Sequence, residues 1–150
     1  MPAPAAKTAL GAKLLMGATA NALTELAEVL SITPPKPTRD TLAASTLATT
    51  GGMDFIPAGL YDAGEISAQL HYIAGDATDT ALVTARDGGL LRTFRITVKG
   101  ASATQAITFE GYITSYGPDG LEIDGKQTSS LTVKITGSLG QGAAPAGGGA

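Results

Sequence analysis

Chemistry in this chain would have to come from carboxylates, hydroxyls and one imidazole. The sequence contains no cysteine and a single histidine, His71. That composition excludes disulfides, thiolate nucleophiles and zinc sites with the usual nitrogen and sulfur ligands. A catalytic base must lie within hydrogen-bond distance of a nucleophile, and His71 lies instead on the polar face of an alternating segment. A solvated or interface histidine therefore fits the pattern better than a catalytic one.

Other kinds of site also lack their signatures. The acids are not spaced as in a calcium-binding loop, and the pairs Gly51–Gly52 and Gly88–Gly89 lack the Lys and Ser or Thr of a phosphate-binding loop. No two carboxylates stand out as a pair for glycoside hydrolysis. Tryptophan is absent and aromatic residues make up 5% of the chain, which disfavours ligands that stack on aromatic faces. We therefore expect no enzyme activity, no catalytic residue, no cofactor and no metal site.

The acidic residues are distributed unevenly along the chain. Between residues 40 and 85 there is no Lys or Arg, and the acids there are Asp40, Asp54, Asp62, Glu65, Asp76 and Asp79. One interpretation is an ordinary solvated face. In the other, carboxylates repeated around a ring line a channel and repel a polyanion, so that it slides past without binding.

The same region contains a predicted hairpin. Residues 40–45 and 53–56 read as its two arms, and Thr49 to Gly52 supply the turn, because glycine adopts positive φ without steric cost. A two-stranded hairpin is marginal in water by itself. The apolar side chains of the hairpin or loop at about 40–57 therefore need another surface, either the chain's own core or another subunit.

Period-2 alternation of apolar and polar residues predicts four further strands. They are Glu65–Ile73, Arg92–Lys99, Ala106–Tyr116 and Ser129–Thr136. Residues 77–87 change to a helical period, with acids at the start, Arg86 in the last turn and Gly88 at the end. The pattern predicts a mainly β protein, an antiparallel β-sandwich or partly closed barrel with one flanking α-helix.

The remaining segments set the predicted domain limits. Residues 1–20 are expected to form an N-terminal arm, residues 21–137 the β domain, and residues 138–150, rich in Gly and Ala, a flexible tail. Residues 22–30 show helical spacing, which predicts a helix ahead of the rigid Pro34–Pro37 connector. At 150 residues with a net charge of −3, the chain fits one domain that is not a basic nucleic-acid reader. No apolar run reaches the ~20 residues that span a bilayer, so we expect no membrane partner.

The order of several segments resembles the major tail tube proteins of long-tailed, non-contractile bacteriophages. The matching segments are GAKLLMGATANALTELAEVLSI, TRDTL, FIPAGLYDAGEI, FRITVKG, TFEGYITSYGPDG and SSLTVKITG, spread over residues 11–137. The resemblance implies a structural subunit of the virion tail that assembles in the host cytoplasm into rings, typically hexameric. These rings stack into a hollow tube for DNA ejection. It also implies that residues 22–30 are extended rather than helical, and that the strand around Glu65 to Tyr72 belongs to the barrel around the lumen.

Partners and contact residues follow from the same resemblance. The implied partners are further copies of the chain, the tape-measure protein, terminator and initiator proteins, and double-stranded DNA in transit. Asp40, Asp54, Asp62 and Glu65 are the candidate lumen-facing acids. The candidate contacts between subunits or rings are Leu42, Leu47, Met53, Phe55, Ile56 and Pro57. Gene transfer agents and other tail-like particles use the same design, and the sequence does not separate them from a phage virion.

Two other functions are compatible with the residues alone. A monomeric β-sandwich module that binds glycan or peptide would need a cleft with exposed aromatic side chains. A hydrolase that uses His71 or an acid pair is the least favoured of the three.

Overall fold

The computed structural model describes residues 11–100 and 103–143. These residues form nine strands and one helix. The strands are β1 Lys13–Gly17, β2 Leu23–Glu25, β3 Val29–Thr33, β4 Thr41–Ala43, β5 Phe55–Pro57, β6 Glu65–His71, β7 Arg92–Lys99, β8 Thr104–Pro118 and β9 Thr128–Ala143. The helix, α1, spans Ala77–Gly88. The predicted mainly β class with one flanking helix is confirmed, and α1 agrees with the predicted residues 77–87.

Seven strands form one antiparallel sheet in the order β2-β1-β7-β8-β9-β6-β3. The first half of β8 pairs with β7, whereas the first half of β9 pairs with β6. The long β8–β9 hairpin therefore passes through both layers of the fold. The edge strand β3 approaches β1, the second strand from the opposite edge, but the two exchange no ladder hydrogen bonds, so the sheet curls into a partly closed barrel.

Two irregularities in the β8–β9 pairing mark the bend between the layers. The register shifts between Thr108 and Glu110 and again between Ile113 and Ser115, and such bulges bend a strand and increase its twist. Gly111 lies between them, where a Cβ atom would be 2.6 Å from the carbonyl oxygen of Lys134. Only glycine allows β8 to approach β9 that closely.

The inward faces of the strands and one side of α1 form a single core. Phe94 and Phe109 stack in it with ring centroids 5.7 Å apart. Its fully buried side chains include Leu14, Ile66, Leu82, Ile96, Leu131 and Val133. The alternation predicted for β6 holds, because Ile66, Ala68 and Leu70 are buried and the residues between them are exposed or half-buried.

One buried tyrosine attaches α1 to the sheet. Leu82 and Ala85 bury the inner side of the helix, and the Tyr116 hydroxyl donates a hydrogen bond of 2.8 Å to Asp79 Oδ1. Arg86 Nη1 donates to the Tyr116 carbonyl oxygen at 2.7 Å. Burial, followed by the bond to the Asp79 carboxylate, raises the pKa of Tyr116 to about 12.

Three sequence expectations need correction. Residues 22–30 are not a helix: they form β2, a turn at Glu28 with φ of 60°, and the start of β3, as the family resemblance implies in part. β1 lies inside the sheet although it falls in the predicted arm. β9 continues to Ala143, through the first part of the predicted tail, because these residues pair with β8. The remainder of the arm and tail, residues 1–10 and 144–150, lies outside the described residues.

Candidate functional site

The predicted hairpin is a two-stranded ribbon, residues 38–62, that is separate from the main sheet. Its strands β4 and β5 pair only with each other, and a hydrogen bond of 2.8 Å from the Ala44 N–H to the Asp54 carbonyl oxygen extends the pairing toward the tip. At the base, Thr38 and Asp62 form an isolated antiparallel bridge. The predicted hairpin is therefore confirmed, with the strands nearer its base than its tip.

The ribbon carries its large apolar side chains in solvent. Leu42, Leu47, Met53, Phe55 and Ile56 have exposed fractions between 51 and 109%, and Pro57 is exposed as well. Monomeric proteins rarely expose so many apolar side chains together, and such patches mark interaction sites. The structure thus groups all six predicted contact residues on one projecting element.

The base of the ribbon is braced from within and is hydrogen-bonded to the body through Tyr61. The Arg39 guanidinium lies 5.4 Å from the centre of the Tyr61 ring, and its Nη1 donates to the Ala58 carbonyl oxygen at 3.0 Å. The Tyr61 hydroxyl accepts a hydrogen bond from the Leu139 backbone N–H on β9 at 3.2 Å. The Arg39 contacts lie within the ribbon, and the Tyr61–Leu139 bond connects its base to β9.

The four predicted lumen acids fall into two groups. Asp40 and Asp54 belong to the ribbon, where Thr49 Oγ1 donates to Asp54 Oδ2 at 3.3 Å. Asp62 and Glu65 lie beside β9, next to Lys134. The Lys134 ammonium is 3.1 Å from Asp62 Oδ1, and Lys134 is also the register partner of Glu65.

Local bonds favour the ionised form of Asp62. The Gly64 backbone N–H donates to Asp62 Oδ1 at 2.8 Å, and this bond, followed by Lys134, lowers the pKa of the Asp62 carboxyl. The carboxylate is therefore charged at neutral pH, but an ammonium faces it. Residues 40–85 contain no Lys or Arg, but the fold places Lys134 beside their carboxylates.

The outward face of β3, β6 and β9 is polar and nearly uncharged. Register rows across it consist of hydroxyl and amide side chains, because Ser67 faces Thr132 and Gln69 faces Ser130. On the other side of β6, Thr33 and Ser31 continue the same rows. Glu65 and Lys134 lie at one end of this polar face, where the Lys134 ammonium, bound to Asp62, only partly balances the two carboxylates.

His71 ends the same strand without forming a catalytic arrangement. Its ring has no hydrogen-bonded or ion-paired carboxylate within the described residues, and its backbone N–H donates to the Glu28 carbonyl oxygen. No cluster of three metal-ligating side chains occurs in residues 11–100 and 103–143. A nucleophile, base and acid are therefore not seen together around His71 in the described residues.

The family model for the lambda phage tail tube protein matches residues 13–142, nearly the whole described chain. The chain belongs to the lambda phage tail tube protein family. It is a structural subunit of a phage tail tube and hence a virion component, as the segment order implies. Family membership decides against the monomeric binding module.

Solved structures of tail assemblies share the fold of this tail tube subunit. A chain from the tail of an empty gene transfer agent particle, refined with C6 symmetry, matches with a TM-score of 0.72 and 16% identity over 92% of this chain and 100% of that one. The SPP1 tail tube matches with a TM-score of 0.64 and 15% identity over 89% and 77%. A chain of the anti-feeding prophage baseplate matches with a TM-score of 0.68 and 9% identity over 95% and 98%. No curated protein sequence is significantly similar.

Sequence reasoning missed a second exposed apolar element. The loop between β8 and β9, residues 119–127, exposes Leu121 and Ile123, although no candidate contact was predicted there. The available signal was two aliphatic residues inside a stretch that is otherwise Gly, Asp, Glu, Lys and Gln. Within the described part of the chain, no helix is long and apolar enough to span a membrane.

Proposed function

We propose that this tail tube subunit closes into a six-membered ring and that the rings stack into the tube. The gene transfer agent tail with the same fold has C6 symmetry, which supports six subunits per ring. The observation that carries the proposal is the exposed apolar ribbon, which requires a surface that its own chain does not provide. A heterologous contact that closes on itself makes a ring.

The ribbon makes the contact between copies in this proposal. Its apolar side chains are exposed, Arg39 braces its base from within, and the Tyr61–Leu139 hydrogen bond connects that base to β9. A pre-oriented element loses less conformational entropy on association than a flexible one. The candidate contact residues are the six named above, with Phe55 as the largest.

The polar face of β3, β6 and β9 lines the channel in the same proposal. Hydroxyl and amide groups offer DNA no cationic surface, so that the counterion release that drives phosphate binding is absent. Glu65 and Asp62 add negative charge that Lys134 partly balances, and Asp40 and Asp54 add more from the ribbon. DNA would pass without a specific contact, and the subunit itself would perform no catalysis. Its further partners would be the tape-measure, terminator and initiator proteins.

The test of the ribbon is Phe55→Asp. Because Phe55 is more than half exposed, the variant should stay folded, with an unchanged thermal unfolding curve by circular dichroism. It should form no tubes by negative-stain electron microscopy. Thr50→Asp adds the same charge to the same ribbon without removing an apolar group, and it should assemble normally. Unfolding of Phe55→Asp, or normal tubes from it, contradicts the assignment.

The test of the channel is Glu65→Lys in assembled particles. Tubes should still form, because the Glu65 side chain points outward from the sheet, but DNA ejection should slow as lysines bind the passing phosphates. Glu110→Lys on β8, an exposed position that faces Thr93 and Thr136 and not the polar face, makes the same charge change and serves as the control. Equal ejection rates for both variants would remove Glu65 from the channel.

A further inference from the structure

A groove of about 580 Å³ separates α1 from the β1–β2 hairpin, and its lining includes Met16, Thr24, Leu26 and Arg92. Met16 is the register partner of Thr24 on one side and of Phe94 on the other, so it lies on the core side of the sheet. Met16 and Leu26 are both buried members of the core. The groove therefore reaches down to the apolar core between the helix and the hairpin.

Small side chains form the walls of this groove. From the hairpin side and from α1 these are Ala18, Ala22, Ala27, Ala77, Ala81 and Thr84. The Ala27 N–H donates to Thr78 Oγ1 at 3.2 Å, which joins the two walls at one end. The volume is in the range of pockets that enclose a ligand, so the groove can accept a few side chains of another chain.

One cation of the lining has no acid to pair with in the described structure. Arg92 is half-buried and forms no ion pair with the described residues. The two acids of the lining are placed elsewhere, because Glu25 is 3.7 Å from Lys13 Nζ and Asp76 is the N-cap of α1, at the end of the helix away from β7. Removing a charge from water without a partner is unfavourable. Arg92 therefore favours a carboxylate from outside its own chain.

One face of the ribbon has the complementary chemistry. Leu42 and Ile56 are register partners on β4 and β5, and they are 55% and 51% exposed. Strand alternation places Asp40 and Asp54 on the same face, one on each side of this aliphatic pair. Neither acid forms an ion pair with the described residues. The face thus offers two aliphatic side chains next to a carboxylate.

The chain does not fill the groove with its own ribbon, since no described ribbon residue belongs to the lining. The ribbon joins β6 at its start, beside Glu65. The Ala27 end of the groove lies instead by the end of β6, because the Glu28 carbonyl accepts a hydrogen bond from the His71 N–H. The length of β6, roughly 20 Å, separates the two places. A projecting element and a groove at different places on each copy suit a heterologous contact.

We propose that the ribbon of one subunit inserts Leu42 and Ile56 into the groove between α1 and the β1–β2 hairpin of another copy, with Asp54 facing Arg92. This contact rests on the proposed assembly through the ribbon and names the surface that receives it. Asp54 is the acid nearer the tip and enters the groove, whereas Asp40 stays outside at the base.

A second apolar groove, between β3 and β7, is a poorer receptor for this face. Its lining contains no charged side chain, so it would bury Asp54 without a partner. Phe55 lies on the opposite face of the ribbon from Ile56, because neighbouring residues of a strand point to opposite sides. Phe55 is therefore left for a further contact, and the groove takes only one face of the ribbon.

The first test blocks the groove. Ala81 is exposed on α1 and lines the groove, so Ala81→Phe should keep the circular dichroism spectrum while its ring fills the space that Leu42 and Ile56 need. The lowest protein concentration that gives tubes should rise at least about tenfold. Thr80→Phe adds the ring at an exposed neighbouring position outside the lining, and it should leave that concentration within about threefold of the unsubstituted protein.

The second test exchanges the charges. D54R and R92D should each raise the same concentration at least about tenfold, because like charges then meet across the contact. The double variant D54R/R92D restores opposite charges and should return it to within about threefold of the unsubstituted protein. D40R reverses an acid on the same ribbon face outside the groove, and it should assemble like the unsubstituted protein.

Several outcomes separate the groove from the tube itself. If the unsubstituted chain forms tubes and Ala81→Phe forms them at the same concentration, the groove assignment is wrong. The ribbon contact still stands in that case if Phe55→Asp abolishes the tubes. Failure of D54R/R92D to recover also overturns the groove assignment. If the unsubstituted chain forms no tube even with its initiator, both proposals fail.

Discussion

The body and the ribbon use the same kinds of residue for opposite purposes. In the body, Phe94 is completely buried and stacks on Phe109, whereas Phe55 on the ribbon is more than half exposed. Both residues lie in antiparallel strands. The difference teaches that strand pattern alone does not say what an apolar side chain packs against. In the body the partner surface is in the chain, and for the ribbon we place it on another copy.

Replacing a phenylalanine by alanine should change the free energy of unfolding far more in the body than on the ribbon. Phe94→Ala should lower the free energy of unfolding by about 3–5 kcal/mol, because it leaves a cavity in a packed core. Phe55→Ala should change it by less than about 0.5 kcal/mol, as at other exposed sites. Urea unfolding of the unassembled subunit measures both. Similar losses for the two variants would mean that Phe55 belongs to the subunit's own core.

Glycine substitution gives the next largest contrast. Gly111→Ala places a methyl group 2.6 Å from the Lys134 oxygen and 2.9 Å from Val133 Cγ1, and should cost about 1–3 kcal/mol through overpacking. Gly52→Ala meets no atom within 4 Å and should change stability by less than about 0.5 kcal/mol. The same urea titration compares them. A neutral Gly111→Ala would show that the bend in β8 does not need the close approach.

Tyr116→Phe should have the smallest effect and a distinctive pH dependence. Losing the hydrogen bond to Asp79 should cost about 0.5–1.5 kcal/mol at neutral pH. Because folding raises the Tyr116 pKa from 10.0 to about 12, its contribution is complete below pH 10 and is lost as the pH rises toward 12. The free energy of unfolding should therefore fall less for Tyr116→Phe than for the unsubstituted chain over that range. Tyr112→Phe, at an exposed position, should keep the original slope.

The sequence predicted correctly those elements whose ends are determined by residues within or next to them. In α1, Asp79 lies in the first turn and Arg86 in the last, and Gly89 ends the helix in the left-handed conformation with φ of 59°. The alternation of β6 likewise named its buried face. In β7 it named Phe94 and Ile96, but Thr93 and Arg95 on the other face are buried as well. Each of these signals acts within a few residues, so a single sequence contains it.

Tertiary effects account for what the sequence did not show. The apparent helix at residues 22–30 fails because the chain turns at Glu28, a positive φ that nothing in the local pattern indicates. Asp62 meets Lys134 from 72 positions away, which a scan for charge runs cannot detect. Residues 138–143 have the composition of a tail but are ordered by pairing with β8. The candidate contact residues follow from the predicted hairpin together with the family resemblance, whereas the polar face of β3, β6 and β9 depends on the pairing of the whole sheet.

The β8–β9 hairpin that passes through both layers also determines how the subunit bears mechanical load. Antiparallel hydrogen bonds run perpendicular to the strands, so a pull along this hairpin that drives its strands past each other shears many of them together. Sequential rupture from one end, which needs far less force, requires a pull across the strands. A tube that bends or is pulled along such hairpins would yield at contacts between subunits before its subunits unfold.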